Sequence, residues 1–142
     1  MPRAYISKAV RHRVAIAARH RCGYCLTSQK YTGAQLEIEH IIPVTLGGSH
    51  EEENLWFACS WCNGYKGFQI DGVDHLTGKR VPIFNPRKQF WSEHFRWSID
   101  GTKIIGITEC GRVTVDALQL NNKFVVSARG YWTSAGWHPP KD

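Results

Sequence analysis

The 142-residue sequence predicts an α+β fold, in which a basic N-terminal helix precedes a strand–loop–strand–helix segment, a β-hairpin and further helices. Three patterns support this prediction. An amphipathic pattern precedes residue 21, a strand-like run at 36–43 lies between two Cys-x-x-Cys pairs, and an Asp-Gly pair separates two alternating segments. The length and a hydrophobic content of 42% indicate a single domain over residues 1–142.

Residues 1–21 are predicted to form a basic helix. Ser7 can cap a helix that runs to about His20. Residues 1–36 contain seven Lys or Arg and no Asp or Glu. Residues 37–142 contain eleven Lys or Arg and twelve Asp or Glu. This asymmetry indicates phosphate contact, although a solvated face is the usual fate of such charges. The apolar face would hold Val10, Val14, Ala17 and Ala18, and the candidate nucleic-acid contacts are Lys8, Arg11 and Arg19.

Four cysteines in two Cys-x-x-Cys pairs are predicted to bind one structural Zn²⁺. Each tight turn directs two sulfur atoms at the same point, and 33 residues separate the pairs. A redox pair would leave the second motif unexplained, and two local disulfides would constrain almost nothing; both remain alternatives. The proposed ligands are Cys22, Cys25, Cys59 and Cys62, and Cys110 is expected to be a free thiol in a turn.

The chain shows no sign of export or membrane insertion. It contains no apolar run of 18 residues, and its first residues lack the apolar stretch of a signal peptide. We therefore expect a cytoplasmic protein that does not enter membranes.

Residues 72–142 form a C-terminal extension, and a turn-rich loop is predicted over 71–79, at its start. Alternating residues on both sides of Asp100-Gly101 predict a hairpin at about 94–108 with a two-residue type I′ turn. Helices are predicted over about 114–132, one capped by Thr114 and the next by Asn122.

The segment between Cys22 and Lys66 resembles the HNH endonuclease family in its form with four zinc-binding cysteines. His40, Asn54 and Asn63 are separated by 13 and 8 residues, and all four cysteines are present. The resemblance implies a ββα-metal core, also called a His-Me finger, over residues 22–71. This core would contain a structural Zn²⁺ and one catalytic divalent cation, Mg²⁺ or Mn²⁺.

The resemblance also implies a role for each motif residue. His40 would be the general base, with its second ring nitrogen oriented by a backbone carbonyl, and Asn54 would tie the loop to the backbone. Glu39 and Asn63 would bind the catalytic cation through oxygen, although Glu39 should point to the strand face opposite His40. Asn63 has a helix-capping role as its alternative, and Lys66 could reach a phosphate.

These features predict a metal-dependent DNA endonuclease or nickase that hydrolyses phosphodiester bonds, most simply in double-stranded DNA. Two alternatives remain open at this point. One is a catalytically silent, zinc-containing module that binds nucleic acid. The other is a toxin-like nuclease restrained by a protein inhibitor.

Overall fold

The computed structural model describes residues 5–141, and the predictions that involve residues 1–4 and 142 lie outside this range. The helices are α1 (Lys8–Ala17), α2 (Gln29–Thr32), α3 (Ser60–Lys66), α4 (Trp91–His94), α5 (Glu109–Ala117) and α6 (Lys123–Ser134). The strands are β1 (Glu37–His40), β2 (Leu55–Ala58), β3 (Asp71–Val73), β4 (Arg80–Pro82), β5 (Phe95–Trp97) and β6 (Ile104–Gly106). Within residues 5–141, no helix is long and apolar enough to cross a membrane. The mixed α+β class is confirmed.

The segment that holds the candidate site is a β-hairpin followed directly by a helix. β1 pairs antiparallel with β2, with Glu39 opposite Trp56 and His40 opposite Leu55. The helix α3 begins two residues after β2 and packs against β1. The predicted order of strand, loop, strand and helix is therefore confirmed, although α3 ends at Lys66 rather than near residue 70.

The N-terminal helix α1 packs on β2 and covers one side of the hairpin. The Ser7 hydroxyl accepts a hydrogen bond from the Val10 N–H at 3.2 Å, so the predicted cap is confirmed. Ala17, predicted on the apolar face, is exposed, and Ala15 is buried in its place. The small core beneath α1 contains Val14, Ala15, Ala18, Leu36, Leu55 and Phe57.

A second core joins the cysteine motifs to the C-terminal extension. Tyr24 and Ala58, near the two cysteine pairs, are fully buried in the same cluster as Phe84 and Phe95 of the extension. The cluster also contains aliphatic side chains from the last third of the chain, at Ile104, Val113, Leu118 and Leu120. The extension therefore supplies most of the apolar surroundings of the cysteines.

The predicted C-terminal hairpin is present as β5 and β6, but its turn differs from the prediction. The connection spans residues 98–103 rather than two residues. Asp100 explains the difference, because its carboxylate accepts bonds from the Ser98 hydroxyl and from the backbone N–H of Thr102. Gly101 has a φ of +76° and closes a turn onto the Ser98 carbonyl.

The helix predicted to start at Thr114 starts earlier. Thr108 caps α5 by accepting a bond from the Gly111 N–H at 3.0 Å. Thr114 instead lies inside the helix and is fully buried, where its hydroxyl donates to the Cys110 carbonyl and accepts from the Phe84 N–H. Cys110, expected in a turn, is also in α5. The Asn122 cap of α6 is confirmed.

The segment predicted as a turn-rich loop contains a hairpin, formed by β3 and β4. Asp74, fully buried in its connection, accepts two bonds of 2.9 Å from the Arg112 guanidinium on α5. This ion pair holds the pKa of Asp74 well below its usual range. A buried charge pair from distant parts of the chain has no signal in local sequence patterns.

Two helical glycines give a test of this packing. An alanine Cβ at Gly111 would lie 2.0 Å from the His94 carbonyl oxygen, whereas a Cβ at Gly64 would meet nothing within 4 Å. We expect Gly111→Ala to destabilise the protein by at least about 1–3 kcal/mol. We expect Gly64→Ala to stabilise it by about 0.5–1 kcal/mol, because alanine loses less backbone entropy in a helix. Urea unfolding measures both, and equal stability of the two variants would contradict the described contact of α5.

Candidate metal centre and active site

Four cysteine side chains converge in the interior. Their Sγ atoms all lie within 4.8 Å of one another, and Cys25 Sγ is 3.7 Å from Cys59 Sγ. A tetrahedral ion with Zn–S bonds of about 2.3 Å holds its sulfur ligands about 3.8 Å apart. Among the described residues, no other group of three or more His, Cys, Asp or Glu side chains brings its ligand atoms this close. The cluster of Cys22, Cys25, Cys59 and Cys62 is therefore compatible with a structural zinc site.

Local turns aim these sulfur atoms. The Tyr24 N–H lies 3.5 Å from Cys22 Sγ, and the Cys62 N–H lies 3.5 Å from Cys59 Sγ. Cys59 is also the N-cap of α3, so the second pair forms the start of that helix. Burial raises the pKa of the Cys22 thiol, and a bound cation acts in the opposite direction because it favours the thiolate. The cluster is thus suited to binding a cation.

A fully buried arginine lies near the cysteine cluster. Arg129 of α6 donates to the carbonyl oxygens of Thr102 at 2.9 Å and Leu120 at 2.7 Å, and its guanidinium lies 5.4 Å from the centre of the Trp97 ring. Burial lowers the pKa of Arg129, whereas the negative charge of the four cysteines raises it. A zinc ion with four thiolates carries net negative charge, so this guanidinium offsets part of it.

His40, the last residue of β1, faces a surface groove of about 490 Å³. Arg11, Glu37 and His50 also line this groove. The Nε2 atom of His40 is 3.0 Å from the Nδ1 atom of His50. Partial burial lowers the pKa of His40, and positive charge on His50 and Lys66 lowers it further. A neutral imidazole at this position is able to accept a proton.

Asn54 holds the loop that connects β1 and β2. Its side-chain Oδ1 accepts a bond from the Ile42 N–H at 2.9 Å. Its Nδ2 donates to the carbonyl oxygens of Ile42 at 2.9 Å and Ser49 at 2.8 Å. One amide side chain thus connects both ends of the loop and fixes the chain just after His40. These contacts agree with the loop-tying role that the family resemblance implies for this position.

Glu39 and Lys66 form a buried ion pair between β1 and α3. Lys66 Nζ lies 2.8 Å from Glu39 Oε1, and the two side chains are 3% and 2% exposed. Lys66 also donates to the Ile41 carbonyl at 2.9 Å, and the Tyr24 hydroxyl donates to Glu39 Oε1 at 2.7 Å. The prediction that Lys66 reaches a phosphate is wrong, because its ammonium group is enclosed and bonded inside the protein.

The other carboxylate oxygen of Glu39, Oε2, is buried without a hydrogen-bond partner among the described residues. Burial raises the pKa of Glu39, and the positive charge of Lys66 lowers it. Glu39 is not among the residues that line the His40 groove, as the alternation of side chains along a strand predicts. The carboxylate of Glu39 and the imidazole of His40 therefore lie in separate environments, although the two residues are adjacent in the sequence.

Asn63 lies in the first turn of α3 and is half-buried. Cys59, rather than Asn63, caps the helix, so the capping alternative for Asn63 is wrong. Its side-chain amide forms no hydrogen bond with another residue of the 5–141 range, which leaves its oxygen available as a ligand. The structure thus places Asn63 and Glu39 on adjacent elements, α3 and β1.

The predicted nucleic-acid contacts of the N-terminal segment are exposed. Lys8 and Arg11 lie on α1, and Arg11 reaches the groove of His40. Arg19 follows the end of the helix, with a φ of +56°. Arg13, also on α1, donates to Glu52 at 2.8 Å and so connects the helix to the loop that Asn54 holds. The basic face and the candidate base therefore share one side of the hairpin.

Sequence reasoning missed two neighbours of the motif residues. His50, which lies outside the motif of His40, Asn54 and Asn63, contacts His40. Tyr24, between the first two cysteines, bonds to Glu39. His50 lies in a glycine-containing loop shortly after the candidate base, and this position is a signal that could have indicated its role. The contact of Tyr24 with Glu39 has no such signal, because it depends on how the first Cys-x-x-Cys turn folds.

Residues 22–69, 48 of the 142 residues, match the model of a family described as HNH endonuclease. Neither the curated proteins nor the solved structures compared with the chain gave a match. The matched segment starts at the first cysteine of the cluster and ends just beyond α3. The resemblance inferred from the cysteine, histidine and asparagine spacing is therefore confirmed for this segment.

Removal of one cluster cysteine tests the zinc site. We expect Cys59→Ser to lose bound zinc and to unfold the protein, because structural zinc contributes about 10–16 kcal/mol of apparent binding energy in small zinc modules. Metal content and circular dichroism of the purified protein measure the two effects. The control is Cys110→Ser, since Cys110 lies outside the cluster and all five cysteines are free thiols. A folded, zinc-free Cys59→Ser protein would refute the site.

The buried ion pair gives a second test. Lys66→Met leaves the Glu39 carboxylate buried without its cation, and we expect a loss of about 3–5 kcal/mol in the free energy of unfolding. Adding Glu39→Gln to this variant should restore part of the loss, because no buried charge then remains. Lys88→Met, at an exposed lysine, is the control for loss of a charge. Urea unfolding measures all four proteins, and a Lys66→Met variant as stable as wild type contradicts the described pair.

Proposed function

We propose that this protein is a metal-dependent DNA endonuclease or nickase, because residues 22–69 match the model of the HNH endonuclease family. The observation that carries the proposal is the position of His40. Its imidazole is held at the end of β1, faces an open groove and has a lowered pKa. A histidine in that state is neutral at physiological pH and is suited to act as a general base.

The proposed reaction is hydrolysis of a phosphodiester bond. A water molecule in the groove transfers a proton to a ring nitrogen of His40 while its oxygen forms a bond to phosphorus. The bond between phosphorus and the 3′ oxygen breaks, and this oxygen takes up a proton from solvent. General base catalysis of this kind contributes about 10²–10⁴-fold to the rate.

Asn54 supports this base through the loop. Its three side-chain bonds to Ile42 and Ser49 keep the backbone after His40 in one conformation. A base that is already held in position does not lose orientational entropy in the reaction, and a small displacement of a catalytic group lowers the rate. Asn54 is therefore proposed as a positioning residue.

Glu39 and Asn63 are the proposed ligands of the catalytic cation. Carboxylate and amide oxygens suit a hard cation such as Mg²⁺ or Mn²⁺. The buried, unpartnered Oε2 of Glu39 fits this role, because a cation would compensate an oxygen that otherwise lacks a partner. Binding of this ion requires the Glu39 carboxylate to leave its ion pair with Lys66. The bound ion would then stabilise negative charge on the phosphate and on the leaving oxygen.

The basic face of α1 is the proposed contact with DNA. Lys8 and Arg11 are exposed on this helix, and Arg11 lines the groove that His40 faces. Contacts of this type bind the phosphate backbone and position the enzyme without selecting a base sequence. Residues 1–36 contain seven Lys or Arg and no Asp or Glu, and this composition supports the same assignment.

One observation favours the catalytically silent nucleic-acid-binding module as the second candidate. Lys66 already neutralises Glu39, which is the carboxylate that the catalytic cation would need. If the ion pair persists in the presence of divalent metal, the groove and the basic helix would bind DNA without cutting it. The two candidates share the zinc site and differ only in turnover.

Cleavage of supercoiled plasmid separates the two candidates. We expect the purified protein with Mg²⁺ or Mn²⁺ to produce nicked or linear DNA, and EDTA to abolish this activity. His40→Ala should lower the rate at least about 10²-fold without loss of the fold, since it removes the general base.

His75→Ala is the matched control, because His75 is exposed and pairs with Asp116 away from the groove. Its activity should equal that of wild type. Binding of DNA by wild type without cleavage under any of these metals would establish the binding module instead. Cleavage by His40→Ala at the wild-type rate would exclude His40 as the base.

A further inference from the structure

We propose that His50 is the positioning residue of His40: it accepts a hydrogen bond from the Nε2–H group of His40 and so leaves the Nδ1 lone pair of His40 free for the proton of water. This inference rests on the proposed function, in which His40 is the base. It assigns a role to a loop histidine that lies outside the three-residue motif.

The contact has the geometry of a hydrogen bond between two imidazoles. His40 Nε2 and His50 Nδ1 are 3.0 Å apart, the ring centres are 5.0 Å apart, and the rings are inclined by 81°. A neutral imidazole has one donor and one acceptor nitrogen, so one ring must donate here and the other accept. Each ring therefore fixes the tautomer of the other.

Only one of the two arrangements leaves His40 ready to act as a base. If His40 donates from Nε2, its Nδ1 carries a lone pair that is free to accept a proton. If His50 donates instead, the lone pair of His40 is occupied at Nε2 and its Nδ1 carries the proton. The first arrangement is the one that general base catalysis requires.

His50 replaces a partner of another kind. A backbone carbonyl can orient the second ring nitrogen of a histidine that acts as a base. Among the described residues, the contact that the structure provides at Nε2 is instead a side chain. An imidazole performs the same task as long as it is neutral, since its Nδ1 then accepts a bond as a carbonyl oxygen does.

The two residues that precede His50 are held in place by hydrogen bonds. The carbonyl oxygen of Ser49, the preceding residue, accepts a bond from Asn54 Nδ2 at 2.8 Å. The Gly48 N–H donates to the Pro43 carbonyl at 3.0 Å, and a Cβ on Gly48 would lie 1.7 Å from the Ile42 carbonyl oxygen. Asn54 therefore positions His50 as well as the chain after His40.

Two substitutions at position 50 test the role. His50→Ala removes the acceptor, and His50→Asn keeps one, because the side-chain oxygen of asparagine takes nearly the position of histidine Nδ1 but does not titrate. Orienting partners of functional histidines are typically worth about 10–100-fold. We expect His50→Ala to lower kcat for plasmid nicking by that factor with little change in KM, and His50→Asn to recover most of the loss.

The ring tautomer gives a readout that a merely structural role would not change. Nitrogen-15 spectra of the zinc-loaded full chain at neutral pH should show His40 protonated at Nε2 in wild type and in His50→Asn, and mixed tautomers in His50→Ala.

The inference is overturned if wild-type His40 carries its proton on Nδ1, or if His50→Ala leaves both the tautomer and kcat unchanged. The spectra do not depend on cleavage. If wild type fails to cut DNA, the proposed function fails, while the tautomer comparison still decides whether His50 orients His40.

Discussion

The convergence of four cysteine sulfur atoms is the constraint on which the rest of this structure depends. Two of them come from a turn that precedes β1, and two come from the start of α3. This convergence holds the turn with Cys22 and Cys25 against the start of α3, the helix that follows the hairpin. Because Tyr24 lies between Cys22 and Cys25 and its hydroxyl donates to Glu39, the cysteine cluster also influences what surrounds the carboxylate next to the candidate base.

Local chemistry in the sequence was sufficient to predict the hairpin and helix around the site. The Cys-x-x-Cys pairs, the strand-like run that ends at His40 and the apolar run after Asn54 are all short-range signals, and each appears in the structure as predicted. The Ser7 and Asn122 caps were predicted for the same reason, since a cap depends on a few neighbouring residues. The prediction that Thr114 caps a helix was wrong, because Thr108 caps α5 and Thr114 is buried within it, where it contacts Phe84.

The parts of the site that sequence could not predict are contacts between distant residues. Lys66 has the spacing of a surface lysine on a helix, yet it is buried because Glu39 and the Ile41 carbonyl lie beneath it. The contact of His50 with His40 depends on the path of a loop, which Asn54 sets through bonds to two backbone positions. The residue types at these positions indicated their chemistry, but the partner of each side chain could be identified only from the fold.

The two knuckles and the C-terminal extension share one interior, and this limits how the chain can be divided. Arg129 donates to backbone carbonyls of the extension while it balances negative charge on the sulfur atoms, and Tyr24 and Ala58 are buried beside Phe84 and Phe95. A fragment that ended near residue 71 would expose this apolar surface and leave the thiolates without their counter-charge. In this chain, the family segment thus depends on the residues that follow it for a complete interior.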